Sequence, residues 1–246
     1  MTNSEPWYVT AFQADYSELY SHRDLPSARR EVAWLLEHGV SGRTLDLCCG
    51  FGRHSLAMAE GGLEVLGLDL SMDLLQQSKE LPDAERLAGR LVRADARRPP
   101  YGSATFDSVV NLFSSFGYFG DDGDAEVLDN IARVLRPGGR LVMDLMNPAR
   151  IRAGLVPESD RVQAGVRMLE SRSLEDEGRR VTKRVRLEHP DGRIDTWHED
   201  VRMYEPAEIE GLLAERGIDV EATYGNFEGE AFGPGSDRQL LLGRVR

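Results

Sequence analysis

The chain has 246 residues, enough for one well-packed domain or one domain with a modest insertion. Its 41% hydrophobic and 29% charged residues are ordinary globular proportions and exclude a disordered chain. Lys and Arg number 30 against 42 Asp and Glu, a formal net charge of -12, which argues against the basic face of a nucleic-acid binder.

In chain order, Trp7 to Tyr20 is unusually aromatic, and Trp7, Phe12, Tyr16 and Tyr20 suit an amphipathic helix packed on the domain. Ser27 to His38 places Ala28, Val32, Leu35 and Leu36 on one helical stripe, with Gly39 to end it. Thr44 to Cys48 reads as a buried strand, Ser55 to Glu60 as a helix, Glu64 to Asp69 as a second strand and Met72 to Glu80 as a second helix. Arg90 to Asp95, Phe106 to Phe113 and Arg140 to Met146 are further strands. Between the last two, Ala125 to Leu135 is a helix stopped by Arg136-Pro137-Gly138-Gly139. Alternating strands and helices with near-continuous apolar strands predict a parallel sheet covered on both faces.

After Asn147-Pro148 the pattern changes. From Arg161 to Met203 the chain reads as antiparallel strands, with Val181, Lys183, Val185 and Leu187 alternating with Thr182, Arg184, Arg186 and Glu188. His189-Pro190-Asp191-Gly192 turns into Ile194 to Met203, a helix follows at Pro206 to Arg216, and Asp219 to Tyr224 and Gln239 to Val245 return to the sheet. No stretch approaches the roughly 20 apolar residues of a membrane span. No secretory signal is visible, and the two cysteines, Cys48 and Cys49, are adjacent, so the expected compartment is the cytoplasm. No spacing of His, Cys or acidic residues predicts a metal site.

The segment Leu45-Asp46-Leu47-Cys48-Cys49-Gly50-Phe51-Gly52-Arg53-His54 runs from a strand through a Gly-rich turn into a helix. Gly50 and Gly52 permit positive φ and close backbone approach, and the helix start offers unpaired N–H groups. Asp69 ends the second strand, before Leu70-Ser71, where a carboxylate can accept both hydroxyls of a ribose. Asp95, before Ala96, ends the third strand, where it can accept from an exocyclic amine. A lone Asp at such a place is commonly a turn or cap. Polar groups at three successive strand ends instead mark the crevice where open α/β sheets bind ligands.

With these residues the sequence resembles the class I S-adenosylmethionine-dependent methyltransferases. Leu45 to Gly52 is similar to their first motif, with Asp46 at its acidic position and Cys48 where the family usually has its first Gly. Asp69 matches the ribose-binding carboxylate, Asp95-Ala96 the adenine contact, and Leu135 to Gly139 the turn before the fifth strand. The resemblance implies a Rossmann-like α/β three-layer sandwich: a seven-stranded, mostly parallel sheet, its last strand antiparallel, with an antiparallel β insertion after the fifth strand. It divides one domain, 1–246, into an N-terminal helical lid (1–40), a cofactor-binding core (41–147), a β-rich insertion (160–204) and a C-terminal helix with strands (205–246). The implied cofactor is S-adenosyl-L-methionine, held by Tyr20, Asp46, Cys48, Gly50, Gly52, Arg53, Asp69, Leu70, Ser71, Asp95, Ala96, Asn111 and Leu112. A dinucleotide-binding fold is the rival for the same residues. Its Gly-x-Gly-x-x-Gly fingerprint fails at Ser55.

Asn111-Leu112-Phe113-Ser114-Ser115-Phe116-Gly117-Tyr118-Phe119 follows the fourth strand, where the family places residues facing the methyl group. It lacks the Asn-Pro-Pro-aromatic signature of enzymes that methylate nucleic-acid bases. With the acidic charge, this leaves a small-molecule acceptor, N favoured over O, without nucleic-acid or membrane partners, and leaves a homodimer open. The Phe-Ser-Ser-x-Gly-Tyr run and the β insertion are similar to those of N,N-dimethyltransferases acting on nucleotide-linked aminosugars. The candidate catalytic residues are Tyr16 and Tyr118, facing the methyl group or acceptor, and His198, a base on a strand that roofs the pocket. Arg53 either balances the cofactor carboxylate or pairs with an acid. Arg179, Arg180, Lys183, Arg184 and Arg186 either hold an anionic acceptor or pair across strands with Glu170, Glu175, Asp176, Glu177, Asp195 and Glu199. Two further readings remain beside this one: a non-catalytic cofactor-binding partner protein, and a methyltransferase that modifies proteins.

Overall fold

The computed structural model describes residues 6–12 and 24–246. The aromatic N-terminal run appears as α1 (Trp7–Thr10), with Trp7 buried; Tyr16 and Tyr20 lie outside the described residues. In α2 (Leu25–Glu37) the Asp24 carboxylate accepts the Ser27 N–H at 2.8 Å, and Gly39 at φ 89° turns the chain away. β1 (Arg43–Leu47), α3 (Arg53–Glu60), β2 (Glu64–Asp69), α4 (Met72–Gln77) and β3 (Leu91–Arg93) follow in alternation. β4 (Phe106–Asn111), α5 (Gly120–Val134) and β5 (Leu135–Met146) continue it. After α6 (Pro148–Gly154), β6 (Glu158–Gln163), β7 (Val166–Glu175), β8 (Arg180–Glu188) and β9 (Ile194–Arg202) form an antiparallel sheet of their own. α7 (Pro206–Ala214), β10 (Ile218–Tyr224) and β11 (Arg238–Val245) close the chain.

Among the described residues the main sheet has seven strands, ordered β10-β11-β5-β4-β1-β2-β3, with β11 alone antiparallel to its neighbours. One face packs against α5 and α7, where Val127, Leu128, Ile131, Ile209 and Leu213 meet Val109, Met143 and Leu241. The other packs against α2 and α3 through Ala28, Val32, Leu35, Ala57 and Met58, which meet Val65, Val110 and Val142. Both faces being covered explains why these strands read as apolar runs without alternation.

The element boundaries differ from the sequence reading for physical reasons. β4 stops at Asn111, not Phe113, because Phe113 and Ser114 take positive φ (63° and 55°). β3 stops at Arg93 because the Asp95 carboxylate accepts the Arg97 N–H at 2.9 Å and turns the chain. α5 begins five residues early: Asp121 and Asp122 suit its positive N-terminal end, and Asp124 accepts the Phe119 N–H at 3.1 Å. The expected turn at Arg136 to Gly139 lies inside β5 as a bulge, since Phe106 pairs with Leu135 but Ser108 with Arg140. α6 is an addition, with Pro148 in its first turn and the Asn147 side chain accepting the Ala149 N–H at 3.2 Å.

The second sheet covers one rim of the first. Val201 of β9 packs with Trp7 and Ala11 of the N-terminal segment. The Arg202 N–H donates to Gly117 O at 2.8 Å, tying β9 to the loop after β4. Sheet order reverses between β1 and β4, so their carboxyl ends splay at the crevice where ligands bind in such sheets.

Candidate functional site

At that crevice lies a cavity of about 120 Å³. Of the predicted cofactor residues, Asp46, Cys48, Gly50, Arg53, Asp69, Leu70, Asp95, Ala96 and Leu112 line it, as does Tyr118. The Asp69 carboxylate is oriented by backbone donors: Gly50 N–H to Oδ2 at 2.7 Å and Ser71 N–H to Oδ1 at 2.9 Å. Burial raises its pKa against those hydrogen bonds. Asp46 is buried deeper; desolvation pushes its carboxyl to about 6 although Ser55 Oγ donates to it at 2.6 Å. The backbone of Cys48 has φ 65°, so the residue in the family's Gly position keeps the left-handed geometry that Gly would supply. Its thiol is pushed well above the ordinary range by burial, with Asp69 and Asp46 adding to the shift.

Asp95 meets Arg97, whose guanidinium reaches its two oxygens at 3.0 and 2.6 Å and lies 4.6 Å from the Phe119 ring centroid. Burial raises the Asp95 pKa, but the Arg97 hydrogen bonds outweigh it and leave the carboxyl below its ordinary value. Arg53 is buried against the Phe113 ring at 5.2 Å and pairs with Glu31 of α2 at 3.4 Å, an interior partner and not a surface acid. Glu31 also takes His54 Nε2 at 2.5 Å. Burial lowers the His54 pKa more than Glu31 raises it.

Other predicted residues do not face the cavity. A Cβ on Gly52 would approach Leu87 and Leu91 at 3.2 and 3.3 Å, so this Gly serves helix packing. Asn111 donates Nδ2 to Leu47 O at 3.0 Å and locks β4 to β1. Ser71 caps α4 and donates Oγ to Phe12 O at 2.6 Å. His198 is exposed on β9 and lines a separate groove of about 1360 Å³ on the four-stranded sheet. Strand side chains alternate, so it is Glu199 that faces inward.

The sequence predicts an N-terminal lid bearing Phe12 beside the cofactor but does not single out Tyr8 or the second cavity. Tyr8 and Phe12 line the first cavity, with Tyr8 edge-on to Phe119 at 4.8 Å and Phe12 stacked on Tyr118 at 6.0 Å and 16°. A cavity of about 440 Å³ adjoins it, between the strand ends and the inner face of the second sheet, and Phe12, Phe113 and Tyr118 line both. Val181, Lys183, Glu199 and Val201 line its roof. Four of the five basic residues named in the insertion are paired: Arg179 with Asp176 at 2.6 Å, Arg180 with Asp200 at 2.8 Å, Lys183 with Glu199 at 2.7 Å and Arg186 with Glu188 at 2.9 Å.

Residues 44–139 match the model of a methyltransferase domain. The chain is 30% identical over 220 residues to the cypemycin N-terminal methyltransferase of a Streptomyces species, covering 86% of this chain and 87% of that one. The CcbJ methyltransferase of Streptomyces caelestis shares the fold with a TM-score of 0.80 at 18% identity, over 98% of both chains. So does an amino pentose methyltransferase of Micromonospora echinaspora solved with S-adenosylmethionine bound, with a TM-score of 0.67 at 24% identity, over 94% of this chain and 96% of that one. The chain belongs to the S-adenosylmethionine-dependent methyltransferases, so it is an enzyme and S-adenosylmethionine is its cofactor. The dinucleotide rival and the non-catalytic reading are thereby set aside. Among the described residues no helix is long and apolar enough to cross a membrane.

Proposed function

We propose that this enzyme methylates the nitrogen of a small amine, with the cofactor in the first cavity and the acceptor in the second. The observation that carries the reading is the shared wall: Phe12, Phe113 and Tyr118 stand where the two cavities meet. The relatives support an amine, since two of them are named for an N-terminus and an amino pentose.

The first cavity has the donor set the cofactor needs. Asp69, its carboxylate held by Gly50 and Ser71 N–H groups, would take the ribose hydroxyls. Leu70, Ala96 and Leu112 would pack the adenine beside Asp95, while Arg53 would face the amino-acid end. At about 120 Å³ the cavity is smaller than the roughly 300–1,000 Å³ of ligand pockets. Tyr8 and Phe12 would therefore have to shift to admit the cofactor. When bound, S-adenosylmethionine supplies a methyl group on a positively charged sulfur.

The chain's own residues then orient and exclude water. Phe12, Phe113 and Tyr118 narrow the passage between the cavities, and holding reactants in near-attack geometry is worth about 7–11 kcal/mol. A neutral amine needs no base to attack and loses its proton to water afterwards, whereas a hydroxyl acceptor needs one. The test is incubation with methyl-labelled cofactor and a panel of small amines and phenols, read by mass spectrometry. Label on nitrogen is expected; label confined to phenolic oxygen would overturn the amine reading.

A further inference from the structure

Resting on that acceptor site, we infer that the second cavity contains an anion subsite, made by Arg172, Lys183 and Arg238, so that the amine acceptor also carries a carboxylate or phosphate group. These cations come from β7, β8 and β11 and converge on one cavity of about 440 Å³. Two of their counter-ions lie behind them. Glu170, its side chain 4% exposed, takes Arg172 at 2.5 Å, and Asp144, 1% exposed, takes Arg238 at 2.5 Å. Neither carboxylate lines the cavity, whereas the Arg172, Lys183 and Arg238 side chains keep 23%, 18% and 26% of their surface. A ligand thus meets the cations while the buried acids fix their direction, as partners behind a binding group do.

Arg238 is held more firmly still. Its guanidinium lies 5.0 Å from the Phe113 ring centroid and 5.7 Å from that of Phe227. Among the described residues the anions that line the cavity are Asp237, a side chain 71% exposed and paired with Arg150 at 3.0 Å, and Glu199, paired with Lys183 at 2.7 Å. Glu199 also accepts from Trp197 Nε1 at 3.1 Å. It competes with the ligand for Lys183, so it tunes the subsite and does not cancel it. The three cations meet four carboxylates, Glu170, Asp144, Glu199 and Asp237, so the subsite draws an anion by aimed donors and not by an excess of positive charge. Two guanidinium forks and an ammonium on one cavity suit a carboxylate or a phosphate alike.

The test is calorimetric titration of the protein, saturated with S-adenosylhomocysteine, with 3-aminopropanoate, 2-aminoethyl phosphate and propylamine. At least one anionic amine should bind tenfold or more tightly than propylamine, and which of them does so distinguishes carboxylate from phosphate recognition. Lys183→Gln should reduce that ratio to within about threefold. Glu199→Gln should instead raise anion affinity by about threefold or more, and it keeps an acceptor for Trp197 if the lysine variant does not fold. Equal binding of propylamine, or weaker anion binding in Glu199→Gln, would overturn the subsite. Anion binding as described, with no methyl transfer to any amine, would leave the subsite standing and remove the proposed function. Methylation of propylamine as fast as of either anionic amine would do the reverse.

Discussion

The two cavities share a wall yet are built in different ways. The first is made from contiguous strand-end segments, and its ligand-facing carboxylate is oriented by backbone N–H groups only two and nineteen residues away, at Ser71 and Gly50. The second is assembled from distant pieces: the N-terminal segment, the loop after β4, three insertion strands and the start of β11. Its charges are side-chain ion pairs, 16 residues apart for Lys183 and Glu199 and 94 for Arg238 and Asp144. A site of backbone donors suits a cofactor common to the whole family. One of paired side chains can be altered residue by residue, as an acceptor site must be when chemistry on one fold diversifies.

Three variants break or sharpen that contrast. The largest effect is expected at the junction, where a Cβ on Gly117 would sit 2.2 Å from Arg202 O at φ 92°. Gly117→Val should cost about 3–5 kcal/mol and lower Tm by about 10 °C, since the loop bearing Tyr118 must leave β9. An unchanged melting curve would mean that this contact does not join the two regions.

A smaller effect distinguishes the deep acid of the first cavity. The Asp46 carboxyl is raised by burial from 3.8 to about 6, so the folded state holds this proton more tightly than the unfolded chain. Its contribution to stability is full below pH 3.8 and disappears as pH rises through about 6, a change of about 3 kcal/mol. Denaturant unfolding of Asp46→Asn against the parent should therefore show a stability difference that moves in the variant's favour between these values. A difference independent of pH would contradict the assignment. The smallest effect belongs to His198. Exposed on the outer face of β9, it should be dispensable, and His198→Ala should keep kcat within about twofold. A tenfold loss at saturating substrate would restore it as a base.

The same contrast explains what could be read in the sequence. The parallel sheet and the inserted antiparallel strands were legible because buried strands, glycine stops and the 181–188 alternation are local signals, whereas the seven-strand count and the antiparallel last strand came from the family resemblance. Asp69 and Asp95 were legible because each closes a strand or follows its end. Gly52 and Asn111 lie at the expected positions but do not line the cavity, because spacing does not tell packing from ligand contact: Gly52 packs against Leu87 and Leu91, and Asn111 bonds Leu47 O. His198 was misread by one residue, because a period of two decides the face and the chemistry of imidazole drew attention from Glu199. Arg172 was passed over although its partner Glu170 lies two residues away on β7, whereas nothing local marks Arg238, whose partner Asp144 comes from β5.

The most direct test of the account is calorimetric titration of S-adenosylmethionine into the parent protein and Asp69→Ala, with a nicotinamide dinucleotide as control. The parent should bind S-adenosylmethionine and not the dinucleotide. Loss of hydrogen bonds to a charged group, at about 1.5–3 kcal/mol each, should weaken binding to a folded Asp69→Ala by about 100-fold. Near-parental affinity in that variant would contradict the placement of the cofactor at the ends of β1 and β2.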